Sequence, residues 1–474
     1  MKVANTVAYN AAWLIAQPIL VGVVSIVVTA LVARDLGTAN YGTLLLLLSY
    51  SALFTQISNL GLRPYSVREI AANRNRAVEI VSDMLVLRLL LALLVAIVAV
   101  VVIAFVDPFS SVPLFAALFS LILFSALSGC FIDGLQGLEH MKAVATSFAV
   151  SGILVQLACL VAVYMRLGLE GIAAAYTGGA LMMLAMVWYQ FRRATGALTT
   201  TSPGGHHIVH LRRSWAFLLQ NILGTIRGRI DLVLINGFLG AHAAGVYGSS
   251  MVLIQRLDLI QDGIATALFS RVAHLHGRSP ADLMRLVRGA IKVVLVISTP
   301  IAVGLFAVSN EVIALMFGSQ YVESGPILAI LGVGIPFMFT GGVMFNVLRA
   351  MALEKVVFRA TALATLFMVS IFVGGLLLMG VRGAAFAFVL GAAALAVLLV
   401  FEYWQRVGSP WVNRDLLHIV IANSAMGVVL WLISDQHLAI KIVAAALVFA
   451  AAARVLGLVT VSMLKSMFAP DTSA

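Results

Sequence analysis

Charge is scarce in this chain. Asp, Glu, Lys and Arg make up 10% of its 474 residues, against about 25% in a soluble domain. Hydrophobic residues account for 62%, more apolar surface than one water-facing fold can absorb, so a soluble globular protein is excluded. Cysteine is nearly missing. Only Cys130 and Cys159 occur, both inside apolar stretches, and no structural disulfide or zinc site is expected. No cleaved leader is expected either, because residues 1–10 are mildly polar and run straight into a full-length apolar span. No large hydrophilic domain interrupts the chain, and no DxD, HExxH or GxSxG motif stands at a span end. That argues against a membrane enzyme such as a polysaccharide polymerase or ligase. Acidic residues are outnumbered, 19 against 30 basic, for a net charge of +11. The basic residues are spread over many short loops instead of forming one patch, so they read as a topology signal and nucleic acid is not expected as a partner.

What the chain does have is long apolar runs. Fourteen stretches approach the ~20 apolar residues that a bilayer demands: 10–33, 41–62, 80–106, 112–132, 143–165, 170–191, 214–238, 246–269, 289–308, 327–349, 357–379, 383–404, 416–434 and 438–463. Each must satisfy its own backbone hydrogen bonds in lipid, so all are expected to be helices. The fold class is therefore all-α, a polytopic integral membrane bundle. Arg and Lys alternate between the loops. One set carries 21 of them, including Arg63, Arg68, Arg74 and Arg76; the other carries Arg34, Arg166, Arg382 and Lys441. The rich set is expected to be cytoplasmic, with both termini inside. In the longest loop of the poor set, EVIALMF suits a position along the interface.

The chain also repeats itself. GLEGIAAAY (168–176) returns as GVRGAAFAF (380–388), an offset of 212, and DGLQGLEHMK (133–142) returns as NVLRAMALEK (346–355), an offset of 213. Weaker echoes join LGTANYG (36–42) to LGAHAAGVYG (239–248), Asn59 to Asp262, and Arg88 to Lys292. Six spans separate equivalent points, so the halves share one orientation. The expected organisation is an N-lobe, 1–197 (spans 1–6), a C-lobe, 208–407 (spans 7–12), and two additional spans in 408–474. The Thr/Gly-rich segment GALTTTSPGG (196–205) reads as the linker. Duplicated membrane bundles of this kind are typical of transporters.

Ionisable residues inside the spans cluster. Arg227, Arg229 and Asp231 lie in span 7; Arg256, Asp258 and Asp262 in span 8; Asp83 and Arg88 in span 3. Each costs at least ~2.5 kcal/mol at the bilayer centre and should face protein or water. One reading pairs them as structural charges. The other sets Arg227, Arg229 and Arg256 in a water-filled cavity, where a planar guanidinium fork suits phosphate. Asp258 and Asp262 share a helix face and are candidates, with Asp231, for a coupling ion. Gln56, Asn59 and Arg63 form a polar stripe on span 2. His206, His207 and His210 lie in a basic linker without a carboxylate and are not expected to hold a metal.

ARDLGTANYG, QGLEHMK, GLEGIAAAY, IDLVLINGFLGAHAAGVYG and FGSQYVESGPILAIL, in this order, make the chain resemble the polysaccharide flippases of the multidrug/oligosaccharidyl-lipid/polysaccharide exporter superfamily. The resemblance runs to about residue 405. It implies a V-shaped two-lobe transporter of the bacterial inner membrane, with Arg227, Arg229, Arg256, Arg88 and Asn59 as candidates for a cationic central site. The implied substrate is an undecaprenyl-pyrophosphate-linked oligosaccharide, moved between leaflets by alternating access. Membrane lipids, a polysaccharide polymerase and a chain-length regulator are the implied partners. No cofactor is expected beyond proton or sodium coupling. The rival in the same superfamily is a cation-coupled drug exporter. Those exporters commonly carry an acidic residue in span 1, and 10–33 contains none. A noncatalytic scaffold leaves the duplication and the buried arginines unexplained.

Overall fold

The computed structural model describes the backbone of residues 2–59, 61–106, 111–196 and 207–458, and the side chains of 22, 24–59, 61–105, 111–196, 230–258, 260–266 and 268–458. Every regular element among them is helical, with no strand. The chain divides into two compact units, Met1–Gly245 and Val246–Ala474. The first holds α1 (Lys2–Asn59), α2 (Leu62–Ala72), α3 (Ala77–Val106), α4 (Val112–Gly137), α5 (Met141–Tyr164), α6 (Gly168–Thr195) and most of α7 (His207–Arg256). The second holds the end of α7, α8 (Asp258–Leu275), α9 (Pro280–Phe317), α10 (Ser324–Val333), α11 (Ile335–Ala350), α12 (Glu354–Arg406), α13 (Asn413–Leu432) and α14 (Leu438–Val455).

Among the described residues, ten helices are long and apolar enough to cross a membrane, or eleven if α10 and α11, bent by 44° at their junction, form one span. The larger sequence-based number requires reversals inside α1, α7 and α12, and these three helices leave helical geometry at Gly37, Gly240 and Gly380. At Gly380 the reversal is visible in packing. A Cβ on Gly383 would lie 2.0 Å from the Gly375 carbonyl oxygen, and one on Gly391 would lie 2.5 Å from Met368 Cγ. Residues eight apart in a straight helix are about 12 Å apart along the axis, so α12 folds back on itself as a hairpin.

The sequence repeat is written into the backbone. Gly37 (φ 72, ψ 172) and Gly240 (φ 84, ψ 174) adopt one conformation, 203 residues apart. Gly168 and Gly380 both have positive φ, as do Gly196 and Gly408, each pair at an offset of 212. The turn after α4 is repeated hydrogen bond for hydrogen bond after α11. Leu138, Glu139 and His140 donate N–H to the carbonyls of Gly134, Gln136 and Leu135; Met351, Ala352 and Leu353 donate to those of Val347, Arg349 and Leu348. The residue closing each turn is left-handed without being glycine: Glu139 at φ 65 and Ala352 at φ 58. This is a helix C-terminal cap whose six-to-one bond takes up an orphan carbonyl.

Two features place polar groups. In the first unit, Gly61 (φ 71) breaks the chain between α1 and α2. The short α2 then buries Leu62, Tyr65 and Ile70 in a core shared with Met84, Phe131, Leu135 and Phe191, while Arg63 and Arg68 stay exposed. In the second, α13 and α14 dock on α9. Lys292 Nζ meets Asp415 at 2.8 Å, Lys441 Nζ meets Glu311 at 2.6 Å, and Asn423 donates to Thr299 Oγ1 at 2.9 Å. Lys441, a loop charge by sequence, is in fact buried. The segment EVIALMF continues α9 beyond a bend at Val308 (φ −118, ψ 16).

The α12 hairpin gives a direct test of packing. Gly383→Val sets a side chain against backbone and should cost about 1–3 kcal/mol, read as a lower Tm and less folded protein in detergent. Gly374→Ala meets nothing within 4 Å and should leave both unchanged.

Candidate functional site: polar groups at two interrupted helices

Each unit contains a membrane helix interrupted at polar residues, and a discontinuous helix is where a transporter can present polar groups inside the bilayer. In the first unit the interruption follows Gln56 and Asn59. In the second it falls at Leu257, between α7 and α8, within the run Gln255–Arg256–Leu257–Asp258. No glycine or proline marks this second break.

The first cluster is built on Asp133, near the C-terminal end of α4. Arg88 lies about 16 Å along α3 from its first residue and is 1% exposed, as is Asp133. Arg88 Nη2 donates to Asp133 Oδ2 at 2.5 Å. The second carboxylate oxygen faces Arg63 Nε at 3.5 Å, and the Arg63 side chain is 60% exposed. Arg63 Nη2 also donates to Gln136 at 3.5 Å. Gly129 leaves room for the buried guanidinium: a Cβ there would lie 2.9 Å from Arg88 Nη1 and 3.9 Å from Asn59 Oδ1. Asn59 donates weakly to Gln56 at 3.5 Å, but its buried Oδ1 lacks a hydrogen-bond partner among the described residues, as do Thr55 Oγ1, Arg88 Nε and Asp133 Oδ1. The cluster carries two cations and one anion.

In the second unit, Arg256 ends α7 half-buried and makes no ion pair or hydrogen bond among the described residues. Asp258, half-buried, opens α8, and Asp262 is exposed one turn later. Gln261 packs over Gly342 of α11, where a Cβ would sit 2.0 Å from its amide nitrogen. Two apolar cavities of about 540 and 510 Å³ flank the contact of α9 with α13 and α14. Phe306, Val333 and Phe337 line one; Leu305, Met426 and Phe449 line the other.

Of the residues singled out by sequence, Asn59 and Arg88 come together in the first unit, and Arg256, Asp258 and Asp262 follow one another at the second break. Asp231 is buried and accepts the N–H of Leu232 at 2.8 Å. The side chains of Arg227 and Arg229 lie outside the described residues. Asp133, Gly129 and the role of Arg63 were not anticipated. Asp133 falls one residue past the expected end of span 4 and so reads as a loop residue. The signal available was Arg88 itself, since a charge that deep requires a counter-charge within reach.

Within the first unit, the turns at Gly37 and Gly240 also touch. A Cβ on Gly42 would lie 1.9 Å from the Ala241 carbonyl oxygen; one on Gly245 would lie 1.9 Å from that of Thr38. These four residues form two pairs at an offset of 203, so the contact is reciprocal, as across a local two-fold axis. The sequence echo matched Gly42 with Gly248; the structure pairs it with Gly245, because the extra residues of the second copy fall after the contact. Thr38 Oγ1 and His242 Nδ1 lie 2.7 Å apart beside it. The seam lies at the break in the middle of α1, just after Gly37.

This architecture defines the class: a multi-pass, all-helical membrane protein. The fold is similar to that of lipid II flippase MurJ in its inward closed conformation, with a TM-score of 0.73 and 15% identity over 93% of this chain and 97% of that one. It is also similar to an inward-facing MATE-family multidrug resistance transporter of the MOP superfamily, with a TM-score of 0.65 and 15% identity over 81% and 94% of the two chains. The teichuronic acid biosynthesis protein TuaB of Bacillus subtilis (strain 168) is 23% identical over 120 residues, 24% of each chain. The family model described as polysaccharide biosynthesis protein matches residues 7–276, and the chain belongs to that family.

The glycine seam predicts a measurable opening. With Cys130 and Cys159 replaced by serine, Thr38→Cys should react slowly with a membrane-impermeant maleimide. Adding Gly245→Val should speed the reaction severalfold by forcing the backbones apart, whereas Gly237→Val, which meets nothing within 4 Å, should not. Equal rates in all three proteins would show that the seam does not shield Thr38.

Proposed function

We propose that the protein is a flippase that carries an undecaprenyl-pyrophosphate-linked oligosaccharide from the cytoplasmic to the outer leaflet of the bacterial inner membrane by alternating access. The observation that carries this reading is the pair of interrupted helices, one in each unit of a polysaccharide-biosynthesis membrane protein, both broken at polar residues inside an apolar bundle. Arg256, unpaired among the described residues and half-buried at the second break, is the leading ligand for the pyrophosphate, with Arg227 and Arg229 earlier on α7, before Gly240. Arginine stays charged and offers paired donors that match phosphate oxygens. Asn59 and Arg88 are the corresponding polar groups of the first unit.

Asp258, Asp262 and Asp231 are the candidates for the coupling proton or sodium ion. The polyprenyl tail finds apolar surface in the cavities beside α13 and α14. The two lobes, 1–197 and 208–407, act as the moving repeats, and 408–474 is an addition to the second. The 21-to-4 distribution of Arg and Lys sets both termini in the cytoplasm. A polysaccharide polymerase and a chain-length regulator are the partners this role calls for. The alternative, a cation-coupled drug exporter, draws on the shared fold with the MATE transporter, but residues 10–33 lack the acidic group that role favours.

In cells, Arg256→Ala should leave the protein inserted and abundant but hold lipid-linked oligosaccharide on the cytoplasmic leaflet, and Arg256→Lys should restore export in part. Normal export in Arg256→Ala would remove Arg256 from the site. Reporter fusions after Arg76 and Arg406 should be cytoplasmic, and those after Ala241 and Asp435 external; a cytoplasmic reporter at Ala241 would reverse the orientation.

A further inference from the structure

We propose that Arg63, not Arg88, is the residue of the first unit that meets a phosphate or pyrophosphate group, and that the buried Arg88–Asp133 pair is the mount that aims it. This rests on the flippase reading. Exposure separates the two arginines: the Arg88 side chain is 1% exposed and the Arg63 side chain 60%. Asp133 is shared, one oxygen at 2.5 Å from Arg88 and the other at 3.5 Å from Arg63. The Asp133–Arg63 contact is an ion pair without a hydrogen bond, and Gln136 accepts from Arg63 Nη2 at 3.5 Å. A guanidinium has five N–H donors, and the rest of them face away from these partners, free for an anion.

Charge balance points the same way. A pair serving only to glue helices is neutral, whereas this group is two cations on one anion. The duplication supplies an internal comparison. The turn that carries Asp133 recurs 213 residues later with the same hydrogen bonds, and there the equivalent residue is the neutral Asn346, whose amide donates to Gly342 of its own helix at 3.0 Å. The fold therefore makes this turn without a buried charge. At an offset of 203, the position equivalent to Arg63 is Thr266, so the arginine mount belongs to the first unit alone.

The mount also explains the strain around it. Gly61 at φ 71 breaks the membrane helix two residues before Arg63, which places Arg63 in the first turn of α2, toward the arginine-rich side. Gly129 keeps the space that Arg88 fills. A buried polar atom without a partner costs about 1–3 kcal/mol, and among the described residues Thr55 Oγ1, Asn59 Oδ1, Arg88 Nε and Asp133 Oδ1 are such atoms.

The test is flipping of a polyprenyl-pyrophosphate oligosaccharide by the full chain in phosphatidylcholine vesicles. Arg63→Ala should raise the half-saturating substrate concentration about tenfold, with a smaller change in maximal rate, and Arg63→Lys should recover part of the loss. The neutral pair Arg88→Gln/Asp133→Asn, whose second change matches Asn346 of the second unit, should produce a similar rise. Combined with Arg63→Ala it should add less than twofold, because both changes disable one device. Gly129→Ala presses on Arg88 without removing charge and should give a smaller shift, which keeps the test decisive if the neutral pair does not fold. Wild-type half-saturation in Arg63→Ala, or fully multiplicative effects, would overturn the mount. A defect seen only when the vesicles contain anionic phospholipid would assign Arg63 to membrane head groups and overturn the substrate role. Failure of the wild-type chain to flip would instead refute the flippase reading itself.

Discussion

A carboxylate with no access to water governs the polar interior of the first unit. Asp133 is 1% exposed and meets Arg88, equally buried. Neither charge is tolerable alone in an apolar bundle, since removing one partner of a buried pair leaves an uncompensated charge costing about 3–5 kcal/mol. The pair fixes α3 against α4 and ties both to the first turn of α2 through Arg63. Gly129 has to lack a side chain because the guanidinium occupies its space.

Duplication makes the functional asymmetries readable. Where the two repeats agree, as in the capped turns at Glu139 and Ala352, the shared feature belongs to the fold. Where they differ, the difference asks for another cause. Asp133 has Asn346 as its counterpart, and the second unit carries its charges elsewhere, at the break between α7 and α8. Lys292, which the sequence matched to Arg88, finds its partner Asp415 on α13. The C-terminal hairpin is therefore bound to α9 by polar contacts as well as apolar ones.

Much of the architecture was legible in the sequence. The apolar runs, the helical class and the repeat offsets followed from composition and spacing, because a bilayer leaves few ways to satisfy a backbone; the family followed from the resemblance of its motifs. The intramembrane charges were equally visible. Their pairing was not, since Arg88 and Asp133 lie 45 positions apart and meet only through helix packing. The break at Leu257 escaped notice for a related reason: it carries neither glycine nor proline, and its polar run reads as a continuous amphipathic turn. The breaks in α1, α7 and α12 each fall on a single glycine, Gly37, Gly240 and Gly380. The seam between Gly42 and Gly245 was hidden by a closer sequence match, Gly248, one turn further on. Arg227 and Arg229 lie on described backbone, but their side chains lie outside the described residues, so their place at the site rests on spacing.

The account holds that the polar groups at the two interrupted helices carry an anionic lipid head group through the membrane. Its most direct test is the leaflet exchange of a polyprenyl-pyrophosphate oligosaccharide in vesicles containing the purified wild-type protein, beside a cationic drug as a second cargo. The prediction is exchange of the lipid well above protein-free vesicles, lost when the pyrophosphate is replaced by a neutral link, with no accumulation of the drug. Drug transport without lipid exchange, or exchange indifferent to the pyrophosphate, would contradict it.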